Sequence, residues 1–276
     1  MVDTAFQTQY RQEFIAGFEQ TESLVRKLVT TEAVIKGNQA TFLVADSGGA
    51  EAQTRGVNGL IPARADELEQ LTATLVEWHD LVRKTNFNVF ASQGNQREIM
   101  QKTTMGVINR KIDQDVIAEL NTASINTGSA ATASLSLAMK AKTILGNNDV
   151  PRDNRLNALI TPAFEAYLMQ TEEFGSADYV NNKPFTTDMT MFRWAGVNWV
   201  VHPNLPGKGT SAEKCFMFHQ TAIGHAVNKK DMESLVGYDE EQAYSWARAS
   251  IDMGAKLLQN SGVVVINHDG SAYAPA

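Results

Sequence analysis

The chain contains one cysteine, Cys215. It can form no internal disulfide and no multi-cysteine zinc site, so packing must hold it together, and a reducing compartment is the expected setting. It also lacks any run approaching the ~20 apolar residues that a helix needs to span a bilayer. Its first residues include Asp3, Gln7 and Gln9, where a secretory signal would place a basic and then an apolar stretch. No membrane partner and maturation in a cytoplasm are therefore expected. Positive charge is the minority: 24 Lys and Arg stand against 31 Asp and Glu, for a formal net charge of −7. Without a basic stripe, tight sequence-specific binding to nucleic acid is not expected, because affinity for phosphate rests on clustered Lys and Arg.

Signatures of chemistry are missing as well. Ser47-Gly48-Gly49 lacks the lysine that a phosphate-binding loop requires, and there is neither a G-x-S-x-G elbow nor an H-E-x-x-H zinc pair. The five histidines, at 79, 202, 219, 225 and 268, are scattered. Cys215 and His219 would face each other one turn apart on a helix, but Cys215-Phe216-Met217-Phe218 favours a strand. Four residues of strand span about 13 Å, too far for a nucleophile and its base. His219 and His225 without a carboxylate cluster make a poor metal site. No catalytic residue, cofactor or metal is expected, and the remaining enzymatic alternative is a small α/β enzyme with an unrecognised site.

What is present is a core and an unusual excursion from it. With 276 residues, 43% of them hydrophobic, the chain can build one large domain or two modest ones. Phe6, Tyr10, Phe14 and Phe18 recur every four residues and lead to Leu24 and Leu28, which predicts a helix with an aromatic stripe. That helix either packs on its own core or is an arm laid across another subunit. Residues 31–83 change character. A short apolar strand, Thr41-Phe42-Leu43-Val44-Ala45, runs into turn chemistry at Ser47-Gly48-Gly49, Arg55-Gly56, Asn58-Gly59 and Pro62. Past the acids Asp66, Glu67 and Glu69, residues 71–82 read as a returning strand. The tip carries Val57, Leu60 and Ile61, each of which would gain about 1.5–3 kcal/mol from full burial, so a partner surface is implied.

A long helix is expected over 96–123, with Met105, Ile108, Ile112 and Val116 on one face. Residues 122–136, rich in Ser, Thr, Ala and Gly, suit a loop or thin strand edge. A strand at 156–160 precedes a helix over 164–170 with Thr161 as its cap and Pro162 at its start. Two further strands are expected at 192–202 and 214–227. From Ala243 to Leu257 small or apolar residues fall at odd positions, a period of two that outweighs the alanine content and predicts a strand. Asn260-Ser261-Gly262 would then turn it into a hairpin with 263–266. The class is α+β.

This order of parts resembles the major capsid proteins of tailed double-stranded DNA bacteriophages, of the Hong Kong 97 type. The stretches that carry the resemblance are Ser47-Gly48-Gly49-Ala50-Glu51-Ala52, Ile61-Pro62-Ala63-Arg64, Glu77-Trp78-His79-Asp80-Leu81-Val82 and Asn109-Arg110-Lys111-Ile112-Asp113-Gln114-Asp115-Val116-Ile117. Phe218-His219-Gln220-Thr221-Ala222-Ile223-Gly224-His225-Ala226, Ala249-Ser250-Ile251-Asp252-Met253-Gly254-Ala255-Lys256-Leu257-Leu258 and Gly262-Val263-Val264-Val265 continue it. The resemblance implies an arm (1–30), an extended loop (31–83), a peripheral domain with a spine helix (84–145 and 228–276) and an axial domain (146–227). It further implies hexamers and pentamers that form an icosahedral virion head, assembled in the host cytoplasm and enclosing DNA. Scaffolding, portal and cementing proteins are the expected partners. Val57, Leu60, Ile61, Arg55, Arg64, Phe6, Tyr10 and Phe14 become the candidate inter-subunit contacts. An encapsulin-like nanocompartment shell would share the fold and enclose a cargo enzyme instead.

Overall fold

The computed structural model describes residues 22–32, 37–47, 49–61, 63, 67–85, 96–175, 191–228 and 232–274. Its first half holds strands β1 (Thr30–Glu32), β2 (Gln39–Asp46), β3 (Glu67–Thr74) and β4 (Val76–Thr85), helices α1 (Gln96–Leu120) and α2 (Leu135–Asn147), and strand β5 (Leu156–Ile160). Helices α3 (Pro162–Met169) and α4 (Glu172–Gly175) follow, then strands β6 (Met191–Trp194), β7 (Val197–Val201) and β8 (Glu213–His219). Strands β9 (Ile223–Val227), β10 (Glu233–Asp239), β11 (Tyr244–Leu257) and β12 (Val263–His268) complete the chain. The strands sort into a first sheet, β1-β9-β11-β10 with β4 on the other edge of β11, a second sheet, β12-β8-β5-β7-β6, and the separate two-stranded β2-β3 ribbon.

Helix α1 meets the sequence expectation and explains why so long a helix is needed. Its 25 residues extend about 37 Å at ~1.5 Å per residue. Ile108 and Ile112 pack with Val227, Ala249, Ile251 and Met253 over the first sheet. One to three turns later, Val116, Ile117 and Leu120 enter a separate cluster with Leu159, Phe216, Phe218 and Val264 of the second sheet. A single apolar stripe therefore fastens both sheets.

The strand expected at 243–257 is β11, and its side chains alternate between buried and half-buried along most of its length, as the period of two requires. Thr161 caps α3 by accepting the Phe164 N–H at 3.2 Å, with Pro162 in the first turn. The thin strand edge near 122–136 is also found, as parallel bridges from Asn126 to Val265 and from Ala131 to His268.

Four expectations are corrected. The closing hairpin does not form: Asn260–Gly262 makes the turn, but β12 pairs with β8 in the second sheet, because its fully apolar run needs burial on both faces. The strand at 192–202 is two, β6 and β7, reversed at Ala195 and Gly196, both with positive φ. The strand at 214–227 is also two, interrupted at Gln220–Ala222, so that β8 serves the second sheet and β9 the first. The return over 71–82 breaks at Leu75, whose N–H donates to the Asn38 carbonyl. None of the three breaks carries a proline or an Asn-Gly pair, so no strong turn signal marked them. Helix α2 carried no expectation. Its start is fixed by Ser134, which accepts the Leu137 N–H.

The aromatic stripe of residues 6–18 lies outside the described residues. Its expected continuation through Leu24 and Leu28 is not an α-helix but a 3-10 turn, Arg26–Leu28, leading into β1. Asp113 is the reason. This buried carboxylate on α1 accepts from Ser23 Oγ at 2.5 Å and from the Leu24 and Val25 N–H groups at 3.2 Å. It also takes the Nε2–H of His202, at 3.2 Å, just past β7. His202 Nδ1 accepts the Asn204 N–H, which fixes that tautomer. Replacing Asp113 by alanine strips partners from two backbone N–H groups and a buried histidine. A destabilisation of about 3–5 kcal/mol is expected in denaturant unfolding of the unassembled subunit.

Candidate functional site

Cys215, His219 and Glu213 are committed to the fold. Cys215 lies on β8 and not on a helix, and burial pushes its thiol up to about 12. His219 does not face it: its Nε2 bonds Asp153 at 2.9 Å and its Nδ1 meets the Thr221 hydroxyl at 2.8 Å. Glu213, also buried, accepts from the Thr161 hydroxyl at 2.8 Å and the Gly209 N–H at 2.6 Å. His268 stands 3.6 Å from Glu213, enclosed by the rings of Phe164 and Tyr167, and this burial lowers its pKa. Among the described residues no three His, Cys, Asp or Glu side chains gather as a metal site.

Exposed apolar surface concentrates instead on the β2-β3 ribbon. Register pairs Gln39 with Thr74 and Asp46 with Glu67. At its root, one face is buried: Ala40, Phe42 and Ala73 cluster with Ala226 of β9. Phe42 lies so close to Gly224 that a Cβ there would sit 2.7 Å from the ring, so β9 needs glycine at that point. The opposite face is open, and the diagonal neighbours Leu43 and Leu68 are 76% and 72% exposed.

Beyond the ribbon the connection makes its own turn. The Gly56 N–H donates to the Leu60 carbonyl at 3.0 Å and the Gly59 N–H to the Gly56 carbonyl at 2.8 Å, with Gly59 at φ +73. A side chain at Gly59 would be strained in that left-handed conformation. This turn holds Val57 fully in solvent, with Leu60 and Ile61 74% and 65% exposed and Arg55 exposed beside them. The structure thus brings together four of the candidate contact residues. Arg64, Phe6, Tyr10 and Phe14 fall outside the described residues.

Sequence reasoning missed two further exposed patches. Leu43 and Leu68 were legible in principle, as apolar residues on the side of the strand opposite Phe42. The first sheet presents the second patch. Helix α1 covers one of its faces, whereas on the other Leu81 and Leu235 flank Arg248 in register and remain substantially exposed. That patch needs three strands to assemble it, and β10 gave no sequence signal of its own.

The ribbon is thus rooted in a helix-backed sheet and holds an apolar tip in water. The family model for phage capsid protein matches residues 2–270. The chain belongs to the phage capsid protein family. It is a major capsid protein, a structural subunit that associates with its own copies in the virion shell. Solved structures agree on the Hong Kong 97-type fold. The chain of Mycobacterium phage Che8 is 17% identical with a TM-score of 0.76, covering 97% of this chain and 98% of that one. Mycobacterium phage Adephagia gives 14% identity and a TM-score of 0.71, with 97% and 96% covered. The capsid structure of the Cyanophage P-SCSP1u gives 12%, 0.70, and 96% and 93%. No curated protein sequence matches the chain.

Two outcomes follow from the buried groups of this capsid protein. Cys215 in the native subunit should resist maleimide at pH 8 and label only on unfolding; fast native labelling would contradict its burial. His268 is harder to protonate folded than unfolded, so its share of stability is present above about pH 6.5 and lost as pH falls below it. Replacing His268 by glutamine should flatten the decline in unfolding free energy between about pH 7 and 5.5. An unchanged slope would place the linkage elsewhere.

Proposed function

We propose that residues 39–74 lie across an adjacent copy, bury Val57, Leu60 and Ile61 there, and so join subunits into the hexamers and pentamers of an icosahedral head enclosing double-stranded DNA. The observation that carries this reading is the tip itself. Three apolar side chains are held in solvent by a hydrogen-bonded turn, and their burial would be worth about 1.5–3 kcal/mol each. Arg55 and Arg64 flank them as polar contacts, while Phe6, Tyr10 and Phe14 are assigned to a second contact made by the N-terminal arm, on their spacing alone.

The first sheet with α1 serves as the peripheral domain and the second sheet with α3 as the axial domain around the capsomer centre. β9 pairs with β11 in the first sheet and β12 with β8 in the second, which supports assigning β9 to the peripheral domain and β12 to the axial domain. The role is architectural and not enzymatic. A separate scaffolding protein, a portal and a cementing protein are the partners, and assembly takes place in the host cytoplasm before DNA enters. The family match favours a phage head over a nanocompartment shell.

Removing residues 57–61 should leave the subunit folded, with its melting temperature within a few degrees of the parent, and abolish closed shells in electron microscopy. Loss of folding would put the tip in a core of its own chain. Normal shells would mean that the tip makes no essential contact.

A further inference from the structure

A groove of about 490 Å³ runs between β4 and α1, lined by Trp78, His79, Val107, Ile108, Arg110, Lys111, Gln114 and Asn204. Among the described residues each polar side chain that lines it can donate a hydrogen bond, and none is acidic. The Trp78 indole N–H is buried there without an acceptor. Lys111 Nζ sits 3.9 Å from the centre of the Trp78 ring, holding a positive charge at the mouth of the groove. Arg110 and Gln114 bond no described residue, while His79 already pairs with Glu77 at 3.0 Å. Asp115, one turn beyond Lys111 and close enough to feel its charge, accepts from the Ala255 backbone.

A buried N–H without an acceptor costs free energy that folding alone does not recover. Two neighbouring cations on a chain of net charge −7 define what would offset that cost. We propose that this groove receives a carboxylate from a neighbouring copy, held by the Trp78 N–H, Lys111 and Arg110, with Val107 and Ile108 packing against the apolar stem of the same segment. The inference rests on the reading of the ribbon as the reaching element and names its acceptor. Residues 46–69 carry five acids against two arginines, and of these Asp46, Glu51 and Glu69 are exposed, the two glutamates with the longer reach. A recess of this size admits a side chain but not a duplex. DNA phosphates are therefore the less favoured occupant.

The test compares five purified proteins: parent, R110Q, W78F, E51Q/E69Q and R110Q combined with E51Q/E69Q. W78F keeps an aromatic face for Lys111 and removes the N–H together with the five-membered half of the indole. R110Q removes the charge from a half-exposed side chain and keeps its polar end. Each variant should melt within a few degrees of the parent, and each should raise the threshold concentration for shell formation, followed by light scattering, by about tenfold or more. Combining R110Q with E51Q/E69Q should add little beyond either alone, because both remove the same contact.

Full additivity, or unimpaired assembly by R110Q and W78F, would overturn the proposal. So would variants that assemble normally but lose retardation of duplex DNA in a gel, which would assign the groove to nucleic acid. If deletion of residues 57–61 stops assembly while the groove variants do not, the ribbon reading stands and the groove falls. If neither change matters, the ribbon reading fails first.

Discussion

A carboxylate removed from water must be met by hydrogen-bond donors, and Asp113 obtains them from two separate parts of the chain. Its partners are the chain entering at Ser23–Val25 and the turn after β7, each about ninety residues from α1 in sequence. Left with fewer partners, the buried charge would destabilise the fold by several kcal/mol. The entering strand, the long helix and the second sheet are therefore held in one fixed arrangement. The apolar stripe of α1 adds the first sheet to that arrangement. Everything that reaches outward depends on this fixed base.

The ribbon contrasts with the base that carries it. Its root is packed on β9 through Phe42, while its open face and tip leave Leu43, Leu68, Val57, Leu60 and Ile61 in solvent. A monomer that kept its apolar side chains to itself would have no reason to close a turn at Gly56–Leu60 around an exposed valine. Rigidity at the tip lowers the ordering cost of docking, so a small apolar contact repeated many times over a shell can suffice. The family match shows the capsid role, and this division between a packed core and an exposed extension suits it.

Much of this was legible in the sequence. The ribbon followed from turn residues clustered between two strand patterns, and α1 from the four-residue spacing of Ile108, Ile112 and Val116. β11 followed from a two-residue period that overrode its alanines. The breaks inside 192–202 and 214–227 were not legible, because Ala195-Gly196 and Gln220-Thr221-Ala222 carry no proline or Asn-Gly signal. Which sheet receives β9 or β12 is a property of long-range pairing that no local pattern encodes. The role of Asp113 was equally hidden, since a single acid on a charged helix looks like a solvated one until its partners are placed around it. Among the candidate contact residues, those on the ribbon stood out as apolar residues within turn chemistry. The open face around Leu81 and Leu235 could not, as it exists only once three strands are aligned.

The central claim is that the ribbon of one subunit is completed by another. A cryo-electron-microscopy reconstruction of shells assembled from the purified protein tests it most directly. The account predicts closed icosahedral particles in which density for residues 39–74 crosses onto an adjacent copy and Val57, Leu60 and Ile61 are buried there. Shells in which that ribbon folds back on its own subunit, or leaves its tip in solvent, would contradict it.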